Sequence, residues 1–339
     1  MESLLPRPEA GIPGEKGVAL SGQTVLVTGG AGFIGSHVAE LLLEKNIPVR
    51  VLDDLSVGKR ENIPPGAEFV QGDILDPTAL DSALDQVGSV VHLAARVAIR
   101  DSLEHFLPDA RINLLGTLTL LSACARKGVR RFLFASSMAV YGDCPEPRPI
   151  PESYPVSPLS PYGISKLAAE QYVRLLAPRF GIRALVLRYF NVYGPRQTFT
   201  PYVGVVTIFI RRLLEGLPPV IFGDGNQCRD FVHVRDVARA TVMALESDLD
   251  GEVFNVGTGI GTTVNEIASL LAARIRPGAG PVYEAPHPGE VRHSIADISR
   301  IQTLLGFRPQ AVFSEQVPEI IEWNRSRQGT EPTFPGEAV

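Results

Sequence analysis

A tyrosine and a lysine stand four residues apart in the segment SPLSPYGISKLAAEQY, at Tyr162 and Lys166. A helix that begins at Ser160 and Pro161 would place both side chains on one face. Tyrosine has an ordinary pKa near 10, so we expect the neighbouring ammonium to favour its phenolate. Ser137, at the end of a predicted strand in FLFASSMAVYG, adds a hydroxyl. The three residues predict a proton-abstraction site, whereas Tyr-x-x-x-Lys alone would more often be a solvated helix face.

A glycine-rich turn follows the first predicted strand, in TGGAGFIGSH. Gly29, Gly32 and Gly35 recur every three residues where a helix begins, and the missing Cβ atoms would let a pyrophosphate approach the helix N-terminus. Three glycines alone are weak evidence for a nucleotide site. Their position between a strand and a helix strengthens the prediction of a dinucleotide cofactor.

Asp53 ends the second predicted strand, in VLDDLSVGKREN. A carboxylate at this distance from the glycines accepts both hydroxyls of an adenosine ribose and repels a 2′-phosphate, which predicts NAD rather than NADP. Lys59 and Arg60 follow closely and could pair with such a phosphate, and a turn or helix cap is the alternative for Asp53. Asp73, in QGDIL, ends the next strand and is predicted to contact adenine, with a turn as its alternative.

Short β-branched runs alternate with helical stretches from residue 24 onwards: TVLVTG, PVRVLD, AEFVQGD, SVVHLAA, RRFLFASS and RALVLRYF. This order predicts an α/β protein with a doubly wound parallel sheet, the Rossmann fold. We expect a flexible tail at 1–20, a cofactor-binding domain at 21–190, a smaller interleaved substrate-binding domain at 191–330 and a tail at 331–339. The segments IFGDGNQCRDFVHV and GEVFNVGTG are expected to return to the main sheet.

The composition excludes several classes of protein. A net charge of -5 leaves no basic stripe for nucleic acid. No apolar run approaches the roughly 20 residues of a membrane helix. Cys124, Cys144 and Cys228 lie far apart, which argues against disulfides and against a bound metal. We therefore expect a cytosolic enzyme without a metal ion.

The motifs together resemble the extended short-chain dehydrogenase/reductase superfamily, and within it the UDP-glucose 4-epimerases and their N-acetylhexosamine relatives. The resemblance spans roughly 23–323 through TGGAGFIG, VVHLAA, YGISK, RYFNVYGPRQ, RDFVHVRDV, FNVGTG and GEVRHSIADISR. It implies that Ser137 and Tyr162 are catalytic and that Lys166 activates Tyr162 and binds the nicotinamide ribose. Further expected NAD contacts are Phe33, Ile34, Asp54, Ser56, Ile74, Leu93, Ala94, Ala95 and Tyr189.

The same resemblance implies a UDP-hexose substrate. Asn191 would bond the diphosphate or the sugar, and Phe222 and Phe231 correspond to positions that surround uracil. Arg229 and Arg292 are candidates for the diphosphate, because a guanidinium binds phosphate in a bidentate way, or else they are surface ion pairs. The remaining expected substrate contacts are Ile99, Met138, Tyr202 and Val205.

Three features bear on which sugar is accepted. A small residue at the position of Ser294 leaves room for an N-acetyl group in this family. A uronate is a further possibility, since Arg196 or Arg100 could meet a C6 carboxylate. His287 stands where an arginine is usual, so either Arg292 compensates, or the sugar nucleotide is unusual, or His287 is a loop residue without a role.

The implied reaction is inversion at C4. Tyr162 takes the proton of the C4 hydroxyl as hydride leaves for NAD, the 4-keto sugar turns, and hydride returns to the other face. Related dehydratases and decarboxylases carry an acidic residue where this chain has Met138 and Ala139, which favours the epimerase. A dehydratase or oxidoreductase of nucleotide sugars and a non-catalytic NAD-binding regulator are the alternatives.

Assembly is predicted from the helix through RINLLGTLTLLSACA, which carries more apolar surface than one sheet face requires. Leu114, Leu118 and Leu121 share one side of it. Together with the helix of Tyr162, it is expected to form a four-helix bundle between two copies of the chain, as the resemblance also implies.

Overall fold

The structure is a computed structural model that describes residues 22–97, 99–199, 204–286 and 291–328. The two predicted tails, and the predicted substrate residues Tyr202 and His287, lie outside the described residues.

Strands and helices alternate through the first half of the chain, as the sequence predicts. The strands are β1 (Thr24–Thr28), β2 (Val49–Asp53), β3 (Glu68–Gln71), β4 (Val87–His92), β5 (Arg131–Ser137), β6 (Pro149–Ile150), β7 (Arg183–Tyr189), β8 (Asn191–Tyr193), β9 (Val220–Phe222), β10 (Cys228–His233), β11 (Val253–Val256), β12 (Gly261–Thr263), β13 (Val282–Glu284) and β14 (His293–Ala296). The helices are α1 (Phe33–Glu44), α2 (Pro77–Ala83), α3 (Ile99–Glu104), α4 (Phe106–Ala110), α5 (Thr117–Lys127), α6 (Pro161–Leu176), α7 (Val205–Leu214), α8 (Val234–Glu246), α9 (Val264–Ile275), α10 (Ser299–Leu305) and α11 (Phe313–Ser326). A π-helix, Arg111–Gly116, joins α4 to α5, and short 3-10 helices cover Arg60–Asn62, Met138–Val140 and Pro178–Phe180.

A parallel sheet in the order β11-β7-β5-β4-β1-β2-β3 forms the centre of the molecule. Helices α1 and α8 cover one face, and α2, α5 and α6 cover the other. Its β-branched central strands are buried on both faces, as parallel strands between two helix layers must be. The predicted doubly wound fold is therefore confirmed.

The two segments that were expected to return to the main sheet differ in the strands they pair with. GEVFNVGTG supplies β11, which pairs with β7 at the edge of the main sheet, as expected. The expectation for IFGDGNQCRDFVHV is wrong, because β10 pairs with β8, β12 and β14 in a second sheet. The reason is the fully buried Asp230, whose carboxylate accepts hydrogen bonds from the backbone N–H of Thr258 (2.8 Å), Gly259 (2.9 Å) and Ala296 (3.1 Å). These bonds bind β10 to the loop after β11 and to β14.

A third apolar core lies around α7, α9 and α11, away from the main sheet. Strands β9 and β13 pair with each other in a small parallel sheet. The domain boundary near residue 190 stays a prediction.

Two further observations concern expectations of the sequence. Within the described ranges, no helix is both long enough and apolar enough to cross a membrane. All three cysteines are free thiols, and Cys124 and Cys144 are buried.

Candidate active site

Helix α6, which carries Tyr162 and Lys166, begins where the sequence predicts. Ser160 caps α6 by accepting a hydrogen bond from the Gly163 N–H at 3.1 Å, and Pro161 is its first residue. A Cβ on Gly163 would lie 2.3 Å from the carbonyl oxygen of Ala139, so only glycine allows the helix this close to the segment after β5. This contact brings Tyr162 to the carboxyl end of the strand that carries Ser137.

Tyr162 and Ser137 are neighbours at the carboxyl end of β5. Tyr162 is buried, and the Ser137 side chain is close enough to affect the pKa of its hydroxyl. Burial raises the pKa of Tyr162 to about 12, the charge of Asp109 acts in the same direction, and the Ser137 side chain opposes them. The shift is opposite to the one expected from the Tyr-x-x-x-Lys spacing, because the loss of solvent disfavours the phenolate.

Lys166 lies one turn further along α6 and is also buried. Its Nζ donates to the carbonyl of Ala135 at 2.9 Å and lies 5.0 Å from the centre of the Phe134 ring. Burial lowers the pKa of Lys166 to about 8, and the charge of Asp109 opposes this shift. The lysine is thus held against β5, with a pKa close to neutrality.

The glycine turn lies between the ends of β1, β2 and β4. A Cβ on Gly29, which has φ +71°, would lie 2.7 Å from the backbone nitrogen of Ala94, and one on Gly35 would lie 2.2 Å from the carbonyl oxygen of Gly29. Gly32 is the N-cap of α1 and leaves that helix without a side-chain cap or an acidic residue in the first turn. The first amides of α1 can therefore bind an anion.

Asp53 borders the glycine turn at the end of β2. Its two carboxylate oxygens accept hydrogen bonds from the N–H groups of Ala31 (3.0 Å) and Leu55 (2.9 Å), and burial raises its pKa. Each oxygen keeps further acceptor capacity, which suits a pair of ribose hydroxyls. Asp54 accepts from both the N–H and the hydroxyl of Ser56 (2.9 and 2.7 Å), so these two residues shape the adjoining loop.

The other expected NAD residues differ in how they are placed. The carboxylate of Asp73 accepts a hydrogen bond from the Leu75 N–H at 2.9 Å. This bond forms a turn, which is the role given above as the alternative to a contact with adenine. Ile74 is buried in the core beside α5. Tyr189 is buried, and its hydroxyl lies 2.7 Å from that of Thr241 on α8. Partly buried residues complete the rim on α1 and after β4: Phe33, Ile34, Leu93, Ala94 and Ala95.

Three expected substrate residues carry buried polar atoms without a hydrogen-bond partner among the described residues, namely Asn191 at Nδ2, Arg196 at Nη1 and Ser294 at Oγ. Asn191 pairs with Phe231 across β8 and β10, and Ser294 pairs with Arg229 across β14 and β10. Buried polar groups are normally hydrogen-bonded, so an unsatisfied amide at this position fits a ligand oxygen. The second sheet thus brings four of the expected substrate residues together.

The expected arginines have different partners. Arg292 forms a bidentate pair with Asp224 (2.7 and 2.8 Å), which holds the pKa of that carboxyl well below its usual range. Arg196 pairs through Nη2 with Glu40 on α1 at 2.9 Å, whereas its buried Nη1 has no hydrogen-bond partner among the described residues. Arg100 on α3 places its guanidinium 5.6 Å from the centre of the Phe222 ring on β9.

Three expected substrate residues lie at the starts of helical segments. Ile99 is exposed at the start of α3, and the partly buried Val205 begins α7. Met138 begins the 3-10 helix directly after Ser137 and packs against the main core.

Sequence reasoning missed a buried polar group that faces α6. Asp109 on α4 is fully buried and accepts hydrogen bonds from Ser165 Oγ (2.6 Å) and Asn113 Nδ2 (2.8 Å). The hydroxyl of Ser102 on α3 accepts from the Tyr162 N–H at 3.2 Å. Asp109 and Asn113 stand four residues apart, but such polar spacing is typical of any exposed helix face, so only the fold distinguishes them.

The residues present fit NAD. The uncapped start of α1, the absence of side chains at Gly29 and Gly32, and the carboxylate of Asp53 together suit a pyrophosphate and an adenosine ribose. Tyr162 and Lys166 stand at the carboxyl end of the same sheet, where ligands of doubly wound folds bind.

Comparisons with known proteins agree with this arrangement. The sequence pattern of the NAD dependent epimerase/dehydratase family matches residues 25–257. A solved UDP-glucose 4-epimerase of Thermotoga maritima, with UDP-glucose, has a TM-score of 0.86 and 42% identity, covering 89% of this chain and 99% of that one. A UDP-N-acetylglucosamine 4-epimerase of Methanobrevibacter ruminantium, in complex with UDP-N-acetylmuramic acid, has a TM-score of 0.85 and 36% identity, covering 90% and 99%.

A curated relative, the UDP-glucose 4-epimerase of Mycolicibacterium smegmatis, is 37% identical over 309 residues, which are 89% of this chain and 98% of the relative. The match extends across both the parallel sheet and the second sheet. The chain belongs to the NAD-dependent epimerase/dehydratase family of extended short-chain dehydrogenases/reductases, and NAD is its cofactor.

Proposed function

We propose that this chain is a UDP-hexose 4-epimerase that inverts C4 through a 4-keto intermediate while NAD stays bound. The observation that carries the proposal is the buried Tyr162 beside the partly buried Ser137 at the carboxyl end of β5, with the buried Lys166 one turn away. The similarity to UDP-sugar 4-epimerases over nine-tenths of the chain supports the class of substrate.

Each residue of the pair has a defined role. Tyr162 accepts the proton of the C4 hydroxyl and later returns it, while the Ser137 hydroxyl holds the sugar oxygen in line. When bound, oxidised NAD supplies a reversible hydride acceptor and a positive charge beside the phenol. A nearby positive charge favours the phenolate, and the raised pKa of Tyr162 means that proton abstraction at neutral pH depends on such a charge.

Lys166 would bind the ribose of the cofactor. Its Nζ already donates to the Ala135 carbonyl, and an ammonium can donate two further hydrogen bonds, which suits ribose hydroxyls. Gly29, Gly32 and Asp53 would hold the pyrophosphate and the adenosine ribose.

The second sheet is the proposed place of the nucleotide sugar. Asn191 and Arg229 would hold the diphosphate, joined by Arg292 once it leaves Asp224. Phe222 and Phe231 would flank the uracil. Ser294 occupies little volume, so we propose that the pocket accepts an N-acetyl group, and Arg100 remains a candidate for a uronate carboxylate.

The elimination chemistry of a dehydratase is the nearer rival. It needs an additional acid and base at the substrate, and the residues that follow Ser137 are the non-acidic Met138 and Ala139. We therefore propose that the chain moves one proton and one hydride and removes no water.

We also propose a homodimer that covers an exposed apolar face. Leu115 in the π-helix and Ile164, Tyr172 and Leu175 on α6 are each 45–56% exposed. Side chains of this size on two adjacent helices would be buried in a four-helix bundle between two copies. Sedimentation of the purified chain should give a dimer, and Leu175→Glu should give a monomer. A monomeric parent chain would reject the bundle.

The deciding experiment is an NMR assay of the purified protein without added cofactor. UDP-glucose, UDP-N-acetylglucosamine and UDP-glucuronate are incubated separately, and each anomeric proton is followed. We expect a galacto-configured product, a loss of about 10²- to 10⁴-fold in kcat in Tyr162→Phe, and no loss in Tyr172→Phe, an exposed tyrosine of the same helix. A new 6-deoxy methyl signal would identify a dehydratase. If none of the three sugars is converted although NAD is bound, the non-catalytic NAD-binding regulator would be the remaining alternative.

A further inference from the structure

Asp109 places a buried carboxylate against the catalytic face of α6. Its oxygens accept from Ser165 Oγ at 2.6 Å and from Asn113 Nδ2 at 2.8 Å, and its side chain has no exposed surface. Ser165 stands three residues after Tyr162 and one before Lys166. Because residues three apart share a helix face, the Ser165 contact places Asp109 on the side of α6 that carries Tyr162, and Lys166 is the next residue after Ser165.

The carboxylate is fixed in place by a second set of contacts. Asn113 accepts from the N–H of Arg96 and donates to its carbonyl oxygen, both at 2.8 Å, so its amide is held to the segment after β4. Asn113 lies in the π-helix, and single π-helical turns often occur at functional sites. Two anchored donors, one on α6 and one in the π-helix, therefore hold Asp109.

Asp109 is the negatively charged group that acts on Lys166 and Tyr162. Burial raises the pKa of Asp109, while its two hydrogen bonds and the cations Lys166 and Arg96 oppose that shift. The charge of Asp109 raises the pKa of Lys166, against the effect of burial. The same charge raises the pKa of Tyr162.

Three other buried titratable groups near the helix, His92, Glu170 and Tyr189, are neutral or paired. His92 on β4 is buried, and burial lowers its pKa to about 3, so it is uncharged near neutrality. Glu170, one turn after Lys166, is held by Arg188 on β7. Tyr189 on β7 bonds Thr241, and its pKa is raised by burial.

We propose that Asp109 is a positioning residue that keeps Lys166 as an ammonium and sets how readily Tyr162 gives up its proton. The inference rests on the proposed function only in taking Tyr162 as the group that exchanges a proton with the sugar hydroxyl. In that exchange the hydroxyl O–H bond breaks as the phenol O–H bond forms, and the reverse follows on return. A fixed negative charge at Asp109 makes the Tyr162 phenolate a stronger base. It also lowers the fraction of Tyr162 that is ionised at a given pH.

The test variant is Asp109→Asn, which removes the charge and keeps the shape. With its amide turned over, asparagine can still accept from Asn113 and can donate to Ser165, because a hydroxyl serves as donor or acceptor. We expect Tyr162 and Lys166 both to titrate about one pH unit lower than in the parent chain. The titration of Tyr162 is followed by NMR of the holoenzyme, in which the tyrosines are labelled at Cζ. The signal that disappears in Tyr162→Phe is the signal of Tyr162. The pH profile of kcat should move in the same direction.

The control is Asp236→Asn on α8, a buried aspartate that accepts hydrogen bonds from the N–H groups of Gln310 and Ala311 and pairs with Arg239 at 2.9 Å. It should leave the Tyr162 titration unchanged. If Asp109→Asn does not fold, Asp109→Ser decides, because it also removes the charge, keeps a hydroxyl that can hydrogen-bond, and should move the Tyr162 titration in the same direction.

An unmoved Tyr162 signal in the folded variant overturns the inference, as does an equal shift in Asp236→Asn. The titration needs no turnover. A shifted Tyr162 in a chain that converts no sugar would therefore uphold the electrostatic role of Asp109 and reject the proposed function.

Discussion

Arg188 on β7 and Glu170 on α6 form a buried ion pair, with Nη2 2.5 Å from Oε1 and Nε 3.1 Å from Oε2. Glu170 also accepts from the Ser136 hydroxyl at 3.1 Å, and Arg188 donates to the Tyr141 hydroxyl at 2.8 Å. The pair thus joins the catalytic helix to the strand that carries Ser137.

Breaking this pair should be costly. We expect Glu170→Gln to lower the free energy of unfolding by about 3 to 5 kcal/mol, because Arg188 would keep a buried charge without its counterion. Denaturant unfolding measures the effect. The control is Glu246→Gln, which breaks the exposed pair with Lys45 and should cost less than about 1 kcal/mol. Equal effects in the two variants would contradict the importance of burial.

The glycine turn should not tolerate a methyl group at Gly35. A Cβ there would lie 2.2 Å from the carbonyl oxygen of Gly29, so α1 must move away from the pyrophosphate position. We expect NAD to bind about tenfold more weakly or worse. The NAD released per chain on denaturation measures this. Gly280→Ala, with no atom within 4 Å of its added Cβ, should retain full occupancy. Full occupancy in Gly35→Ala would reject this placement of the cofactor.

Ser294 should determine whether N-acetylated sugars are accepted. We expect Ser294→Tyr to reduce kcat/KM for UDP-N-acetylglucosamine at least about tenfold more than for UDP-glucose, because the ring would fill the space of the acetyl group. Ser294→Ala is the control and should keep both activities, since the hydroxyl has no hydrogen-bond partner within the described residues. Equal losses on the two sugars would refute the gate.

Asp224 should compete with the substrate for Arg292. The two form a bidentate pair between exposed side chains, so a diphosphate has to take the place of the carboxylate. We expect Asp224→Asn to lower KM for a UDP-sugar about two- to fivefold with kcat little changed. Steady-state kinetics at low salt measures it. Glu322→Gln, which breaks the exposed pair with Arg325, should leave KM as it is. An unchanged KM in Asp224→Asn would contradict the proposed contact between Arg292 and the diphosphate.

Three buried histidines should make the fold sensitive to acid. Burial lowers the pKa of His37 and of His233 to about 4 and that of His92 to about 3, so between about pH 6.5 and pH 4 the unfolded chain binds protons that the folded chain does not. The free energy of unfolding should therefore fall as the pH falls through this window, with each histidine contributing up to about 1.4 kcal/mol per pH unit.

Denaturant titrations at several pH values measure this slope. His37→Gln should reduce the slope, whereas His105→Gln, at a half-exposed histidine, should not. A slope unaffected by His37→Gln would show that other groups cause the acid sensitivity.

Much of the site was predictable because its signals are local. The spacing of Tyr162 and Lys166, the cap at Ser160 and the glycines of the first turn each act within a few residues of chain, where helix geometry and the absence of a Cβ decide the outcome. The alternation of apolar strands and helices likewise determined the doubly wound sheet, since each strand must be buried by the helices next to it in sequence.

What the tertiary structure decided depends on residues that are distant in the chain. The direction of the Tyr162 pKa follows from burial, and no spacing reveals the loss of solvent. Asp224 became the partner of Arg292, and Glu40 that of Arg196, only once segments 68 and 156 residues apart met in space. Asp109 reached the catalytic helix in the same way, across 56 residues to Ser165. Local geometry is written in the sequence, whereas desolvation and long-range pairing exist only in the folded chain.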